Sequence, residues 1–490
     1  MALLLLIPFD WHRGTVYGYL NTGGCVQLVQ DFVCIPRLNI HYKLGVDGLS
    51  LPLVFLTAFI LPVTVLASWK IADRCRGYLT LMLGLEAALL GAFLSVDLAQ
   101  FDFFLELSVG IVFFLIKISG GFHRRGSATR FILFWGLGSL PVLAGIIGIY
   151  LHSRQVLPNG TFDVIQLASP VFCNRLANAM GGPTGTVAKG LFLLLMLGFA
   201  VKLSVVPFHG WFVAAQSRAP TPVSMLIAAL LLNLGGYGIL RVAYPIFPQA
   251  AKALWFIPAI FGIFSLIHAT LCALAETDLK RLLAYSNIAQ TGLILLGIAT
   301  MTTAGLNGSL FLMIARGLTG ALLMVIAGIL DHRLQHRDTT RLGGLAATMP
   351  IFSSFSLFAF FANMGLPGLC VFVGELLVML GTFQAGRPDS PLYQHAQAIH
   401  CVPQYMLSMR ILAATACASL LLTAGYTLIC MRRICFGPPG PSLQSIADVS
   451  LPELAVLLPL AIMIVLLGVI PAFFVFTLSN PTFASLLRLF

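Results

Sequence analysis

The chain has 490 residues, 59% of them hydrophobic and only 9% charged, with a mean hydropathy of +0.96. A soluble domain carries about 25% charged residues, so this composition excludes a water-soluble globular protein and marks a polytopic membrane protein. The net charge of +11 does not indicate nucleic acid, because the arginines lie in short loops and no basic run is interleaved with exposed aromatics.

Residues 1–44 form a short segment that precedes the first clear span. Met1–Phe9 is apolar but lacks a basic leader, so no cleavable targeting segment is expected. Residues 14–33 are half-apolar, and the pattern leaves open whether they span weakly or lie at the interface. At ~20 apolar residues per crossing, twelve segments follow: 48–69, 78–98, 99–119, 130–152, 189–207, 221–244, 252–275, 280–300, 306–330, 350–384, 406–433 and 453–478. The predicted class is all-α. One set of alternate loops carries Lys70, Arg74, Arg76, Arg124, Arg125, Arg130, Arg218, Lys280, Arg281, Arg333, Arg337, Arg341, Arg432 and Arg433, and the other carries about eight basic residues. The basic set is assigned to the inside, cytoplasm or matrix, which puts the long loops 153–188 and 385–405 outside. Residues 437–441, Gly-Pro-Pro-Gly-Pro, read as a turn.

Two spans are interrupted. The fifth runs GLFLLLMLGFAVKLSVVPFHGWF over 190–212, placing Lys202, Pro207 and His209 at the end of an apolar run. An ammonium at membrane depth costs ~2.5–3.5 kcal/mol and is a functional hypothesis by default. The proline breaks the helix beside it. The tenth span is too long for one straight helix and carries Asn-Met-Gly-Leu-Pro-Gly at 363–368. Two breaks five spans apart suggest an internal repeat with a site at each break. We expect five-helix units at 78–244 and 252–433. Five is odd, so the two units are inverted. A first clear helix within 45–77 and a C-terminal helix within 450–490 flank them.

The remaining intramembrane polar residues are few. Glu86, Asp97, Asp102, Glu106 and Lys117 fall in the second and third spans, and Glu106 and Lys117 share a helix face. Asp97 also fits a loop position, and Lys117 a snorkelling helix end. Glu375 follows the second break, where a starting helix offers unpaired N–H groups. Asn233, Gln290 and Arg316 lie mid-span. Asn and Gln commonly join helices, whereas Arg needs a partner and cannot give up its proton. A Lys–Glu pair that separates and rejoins is a proton-transfer element, and equally an ion exchanger's. The ten cysteines form no CxxC, and Cys272, Cys370, Cys417 and Cys430 read as small buried hydrophobes. A Cys173–Cys401 disulfide is left open. No metal, haem or nucleotide motif is present in the sequence.

Several stretches resemble the antiporter-like subunits of respiratory complex I. GFAVKLSVVPFHGWFVAAQSRAPTPVS (198–224) is similar to that family's GFxVKxPxxxxHxWLPxAHxxAPTxGS, and LLLNLGGYGILRVAYPIFP (230–248) to its LLKxGxYGxLRF. GVDGLSLPLVFLTAF (45–59), DLKRLLAYSNIAQTG (278–292) and ATMPIFSSFSLFAFFANMGLPGLCVFVGELLVMLGTFQ (347–384) fit the mitochondrial branch best. The resemblance covers about 44–478. It implies two inverted five-helix bundles, each with a broken helix, and proton translocation coupled to quinone reduction elsewhere. By motif position Glu106 and Lys202 match the family's proton-loading pair, Glu375 its exit carboxylate and His209 its HxW histidine. Three central positions depart: Asn233 stands at the LLK lysine, Gln290 at the SxxH histidine and Arg316 at the next helix's histidine. These three are expected to line the pathway, with Arg316 bonded to a carboxylate, Glu375 first among them, or to backbone carbonyls, and water held by Asn233 and Gln290. The family also has two spans before GVDG, and here there is at most one and a half.

The resemblance further implies partners: the other membrane-arm subunits of complex I, neighbouring antiporter-like subunits among them, and membrane lipids. No cofactor is expected on this chain; NADH, FMN, iron–sulfur clusters and ubiquinone belong to partner subunits. The implied location is the mitochondrial inner membrane, or alternatively a bacterial plasma membrane. Two other readings remain: an Mrp-type cation/proton antiporter subunit, and a structural complex I subunit that has lost conduction.

Overall fold

The computed structural model describes residues 26–69, 75–118, 124–182, 185–438, 446–472, 483, 486 and 487. The chain before 26 lies outside them, as do 439–441 of the Pro-Gly turn. Of the two readings left open for 14–33, the described part, from 26 on, is not a helical span. Residues 27–46 form an antiparallel hairpin, β1 (Gln27–Ile35) and β2 (Ile40–Val46), turned through Asn39 in the left-handed region. Polar pairs favour this: His41 pairs with Asp31 across the ladder and Lys43 with Asp163 beyond it, and a lone helix here would leave such groups in lipid. Lys43 Nζ reaches Asp163 at 2.7 Å and the Lys43 N–H donates to Gln100, so the hairpin is pinned on the helix ends below it.

The apolar segments are helices because a lipid-embedded backbone must satisfy its own hydrogen bonds. They are α1 (Ser50–Ala67), α2 (Cys75–Leu94), α3 (Leu98–Ile118), α4 (Arg124–Val156), α5 (Thr186–Lys202), α6 (Gly210–Arg218), α7 (Thr221–Ile246), α8 (Phe256–Ala275), α9 (Leu279–Ala299), α10 (Thr303–Leu334), α11 (Pro350–Asn363), α12 (Cys370–Ala385), α13 (Val402–Cys435) and α14 (Leu451–Val469). Internal hydroxyls bond back one turn, as Thr57 to the Leu53 carbonyl, and so add no unpaired group. Among the described residues, nine helices are long and apolar enough to cross a membrane; α11 and α12 are shorter apolar helices.

Both breaks lie where the proline and glycine signals put them. Residues 203–209 separate α5 from α6, and 364–369 separate α11 from α12. The helices around each break pack alike: α2 on α3 and α4 on α5 before the first, α8 on α9 and α10 on α12 around the second. Asp97 caps α3 through Ala99 and Gln100 and bridges to Asp163. Asp278 caps α9 through Arg281 and bridges to Asp338. Asp97 is thus the boundary residue that one of its two readings gave.

Helix α7 is buried almost end to end, α10 is buried from Gly305 to Leu330 and α9 nearly throughout, whereas α4 and α13 are buried over about a third of theirs. The polar helices therefore form the centre, and α4 and α13 turn Leu140 and Leu421 outwards. Gly262 and Gly292 let α8 and α9 approach so closely that a Cβ on either would meet the other's carbonyl oxygen within 2.7 Å. Cys173 and Cys401 are both free thiols; Cys173 Sγ lies 3.1 Å from the Leu167 carbonyl.

Candidate functional site

Lys202 is the last residue of α5, and its side chain is wholly buried. Its ammonium donates to Glu106 Oε1 at 2.7 Å and to Ser139 Oγ at 2.9 Å. Ser139 in turn donates to Glu106 Oε1 at 2.5 Å, so α3, α4 and the broken helix meet at one point. The fourth side is aromatic, with the Trp135 ring centroid 4.8 Å from Nζ. A buried charge without a partner costs several kcal/mol, which is why these residues converge. Asp102, one turn before Glu106, points the same way and keeps Oδ1 buried and unbonded. Glu106 is 38% exposed while Lys202 is not exposed at all. One member of the pair can therefore reach outwards and the other cannot.

Below the first break lies a polar vestibule of about 600 Å³, lined by Arg130, His209, Arg218, Asp278, Arg281, Tyr285 and Arg337 among others. His209 sits on its wall, its ring 5.3 Å from that of His268 and 6.1 Å from that of Tyr285, with Nδ1 buried and unbonded. The break itself is held by α8, whose Ser265 hydroxyl accepts from the Val206 N–H at 3.0 Å.

Asn233 and Arg316 meet at the centre of the bundle. Arg316 Nη2 donates to Asn233 Oδ1, while Nε and Nη1 have no partner. This corrects the expected Arg316–Glu375 pair: among the described residues no bond joins them. Arg316 on α10 faces α7, whereas Glu375 enters from α12, which packs on another side of α10. Gln290 donates to the carbonyl and side-chain oxygens of Asn363 at 3.2 and 3.3 Å. Asn363 also donates to Ser286 at 2.9 Å, and the Tyr426 hydroxyl donates to the same Ser286 oxygen at 2.8 Å. Asn363 ends α11 as Lys202 ends α5, so the second break holds a neutral cluster where the first holds an ion pair. Glu375 lies beside it, its carboxylate filling the space where Gly365 would carry a Cβ.

The structure thus joins Lys202 to Glu106, Asn233 to Arg316, and Gln290 and Glu375 to the second break. No direct hydrogen bond connects these clusters to one another among the described residues. Sequence reasoning missed Ser139, Trp135, His268, Ser286 and Tyr426. His268 carried a usable signal, a titratable group within an apolar span; the others are ordinary residues whose importance comes from their neighbours.

The family described as NADH:quinone oxidoreductase/Mrp antiporter, TM, matches residues 95–389, and that described as NADH-ubiquinone oxidoreductase chain 4, amino terminus, matches residues 2–92. The chain is similar to the NADH-quinone oxidoreductase subunit M of Rhodobacter capsulatus, at 34% identity covering 100% of this chain and 88% of that one. It is similar to the NADH-ubiquinone oxidoreductase chain 4 of Chondrus crispus at 31% identity, covering 96% and 86%. Its fold matches a chain of respiratory complex I from Thermus thermophilus with bound NADH at a TM-score of 0.80 and 26% identity, covering 100% and 97%.

Proposed function

The chain belongs to the NADH:quinone oxidoreductase/Mrp antiporter family, and on that basis we propose that it is a chain-4-type membrane subunit of a proton-pumping NADH:quinone oxidoreductase. It translocates protons while redox chemistry proceeds on other subunits, which carry the NADH, FMN, iron–sulfur and quinone sites. Its neighbours are the other membrane-arm subunits. The family also contains Mrp antiporters, but the match of 2–92 to a chain-4 model favours the oxidoreductase.

The observation that carries the mechanism is the Lys202–Glu106 ion pair at the tip of a broken helix. Protons from the basic side enter the vestibule, pass His209 and His268, and load Lys202. Separation of Lys202 from Glu106 disfavours both charges, so the pair releases and takes up a proton as it opens and closes. Glu375 delivers protons to the opposite side. Between them, waters at Asn233 and Gln290 carry the proton past Arg316, which stays charged. The units 78–244 and 252–433 act as two inverted halves, supported by the matching breaks and caps. The mitochondrial-type stretch at 347–384 favours the mitochondrial inner membrane, and the Rhodobacter relative keeps a bacterial plasma membrane as the alternative.

The test is Lys202→Ala in the assembled complex, reconstituted in vesicles. Proton pumping per NADH oxidised is expected to fall at least ~10-fold, the size of a lost proton-transfer group, while assembly persists. Normal pumping rejects Lys202 as a carrier.

A further inference from the structure

Trp135 is fully buried on α4, one turn before Ser139 and on the same helix face. Its ring is clamped. Trp211 packs edge-on with centroids 5.2 Å apart, and Phe131 lies 5.8 Å away. Trp211 belongs to α6, beyond the break, and its indole N–H donates to the carbonyl of Val201 at 3.0 Å. The aromatic clamp therefore ties both halves of the interrupted helix together next to Lys202. Trp135 itself gets no hydrogen bond: its Nε1 is buried without a partner. A buried indole usually finds one. Its placement instead aims the ring face at the Lys202 ammonium, 4.8 Å away.

A proton carrier must part from its counter-charge. When Glu106 takes a proton or swings towards its exposed side, Lys202 keeps the neutral Ser139 oxygen and this ring as its direct contacts, with Asp102 the remaining carboxylate nearby. The tryptophan face is the strongest aromatic partner for a cation, and desolvation strengthens it. We propose that Trp135 is the partner of the Lys202 ammonium from its parting with Glu106 until its proton leaves, a positioning residue that keeps the lysine in place for the transfer. This rests on the reading of Lys202 as a proton carrier.

The test replaces Trp135, at that site alone, by 5-fluoro-, 5,7-difluoro- and 5,6,7-trifluorotryptophan in the assembled complex reconstituted in vesicles. Fluorine withdraws electron density from the ring face and changes its size little, so packing stays the same. Pumping per NADH oxidised is expected to fall stepwise, from about 2-fold with one fluorine to about 10-fold with three, as for a desolvated cation–π contact. Trp135→Phe, which keeps an aromatic face, should retain more pumping than Trp135→Leu. Native pumping across the whole fluorinated series overturns the proposal. Lys202→Met is measured alongside. Normal pumping by that variant removes the carrier reading and this proposal together, whereas loss of pumping there with a flat fluorinated series removes this proposal alone.

Discussion

Arg316 donates to the side-chain oxygen of Asn233, and the Asn233 amide nitrogen donates to the carbonyls of Ala229 and Met313 at 2.9 and 3.2 Å. The amide is locked by three bonds and neither residue titrates, so α7 and α10 are joined by a permanent positive charge. A proton arriving 4 Å from it meets a repulsion of about 4 kcal/mol at an effective dielectric of 20. The proposed route takes the proton around that charge through water at Nε and Nη1, which have no partner.

Arg316→His is therefore expected to preserve or raise proton pumping per electron pair in reconstituted vesicles, because histidine supplies a titratable group. Loss of pumping with assembly intact shows that the arginine is itself required, and the water route past it is then wrong.

Glu106→Gln leaves Lys202 with neutral acceptors only. Breaking a buried ion pair costs about 3–5 kcal/mol; the partial exposure of Glu106 puts this one at or below the low end. We expect the complex to assemble and its pumping to drop at least ~10-fold, read as acidification of the vesicle lumen. Native pumping rates would show that Glu106 only anchors the lysine.

Gly365 and Gly368 separate strain from contact. Both have positive φ, +77° and +93°. A Cβ at 365 would lie 2.2 Å from Glu375 Oε2, whereas a Cβ at 368 meets nothing within 4 Å. Each Gly→Ala change costs on the order of 1–3 kcal/mol in backbone strain. Only Gly365→Ala also displaces the carboxylate, so it should lose pumping beyond any loss in Gly368→Ala. Equal effects on pumping argue against Glu375 as the exit group.

Topology is testable by cysteine labelling. With native cysteines removed, single cysteines at Gly126, in the first turn of α4, and at Arg341, both exposed, should react from the matrix or cytoplasmic face, because that end of the bundle holds the arginine excess. Reaction of both from the outer face alone reverses the assignment.

Hydrophobicity and punctuation alone determined much of this protein. Twenty-residue apolar runs must be helices in lipid, and the spans and the breaks beside Pro207 and Pro367 were legible from residue order, although Pro62, Pro141 and Pro459 stay inside unbroken helices. So was the Lys202–Glu106 pair, since two charges stranded in the same apolar bundle find each other or cost more apart. What residue order left undetermined was direction. Whether Arg316 turns towards Glu375 or Asn233 depends on which face of α10 meets α7 and which meets α12, and both faces are apolar and glycine-rich. The hairpin at 27–46 depends on cross-strand pairing and on Lys43 reaching Asp163, 120 residues away. Trp135 and Ser139 look like ordinary members of an apolar helix until packing brings them against the one lysine whose charge they hold.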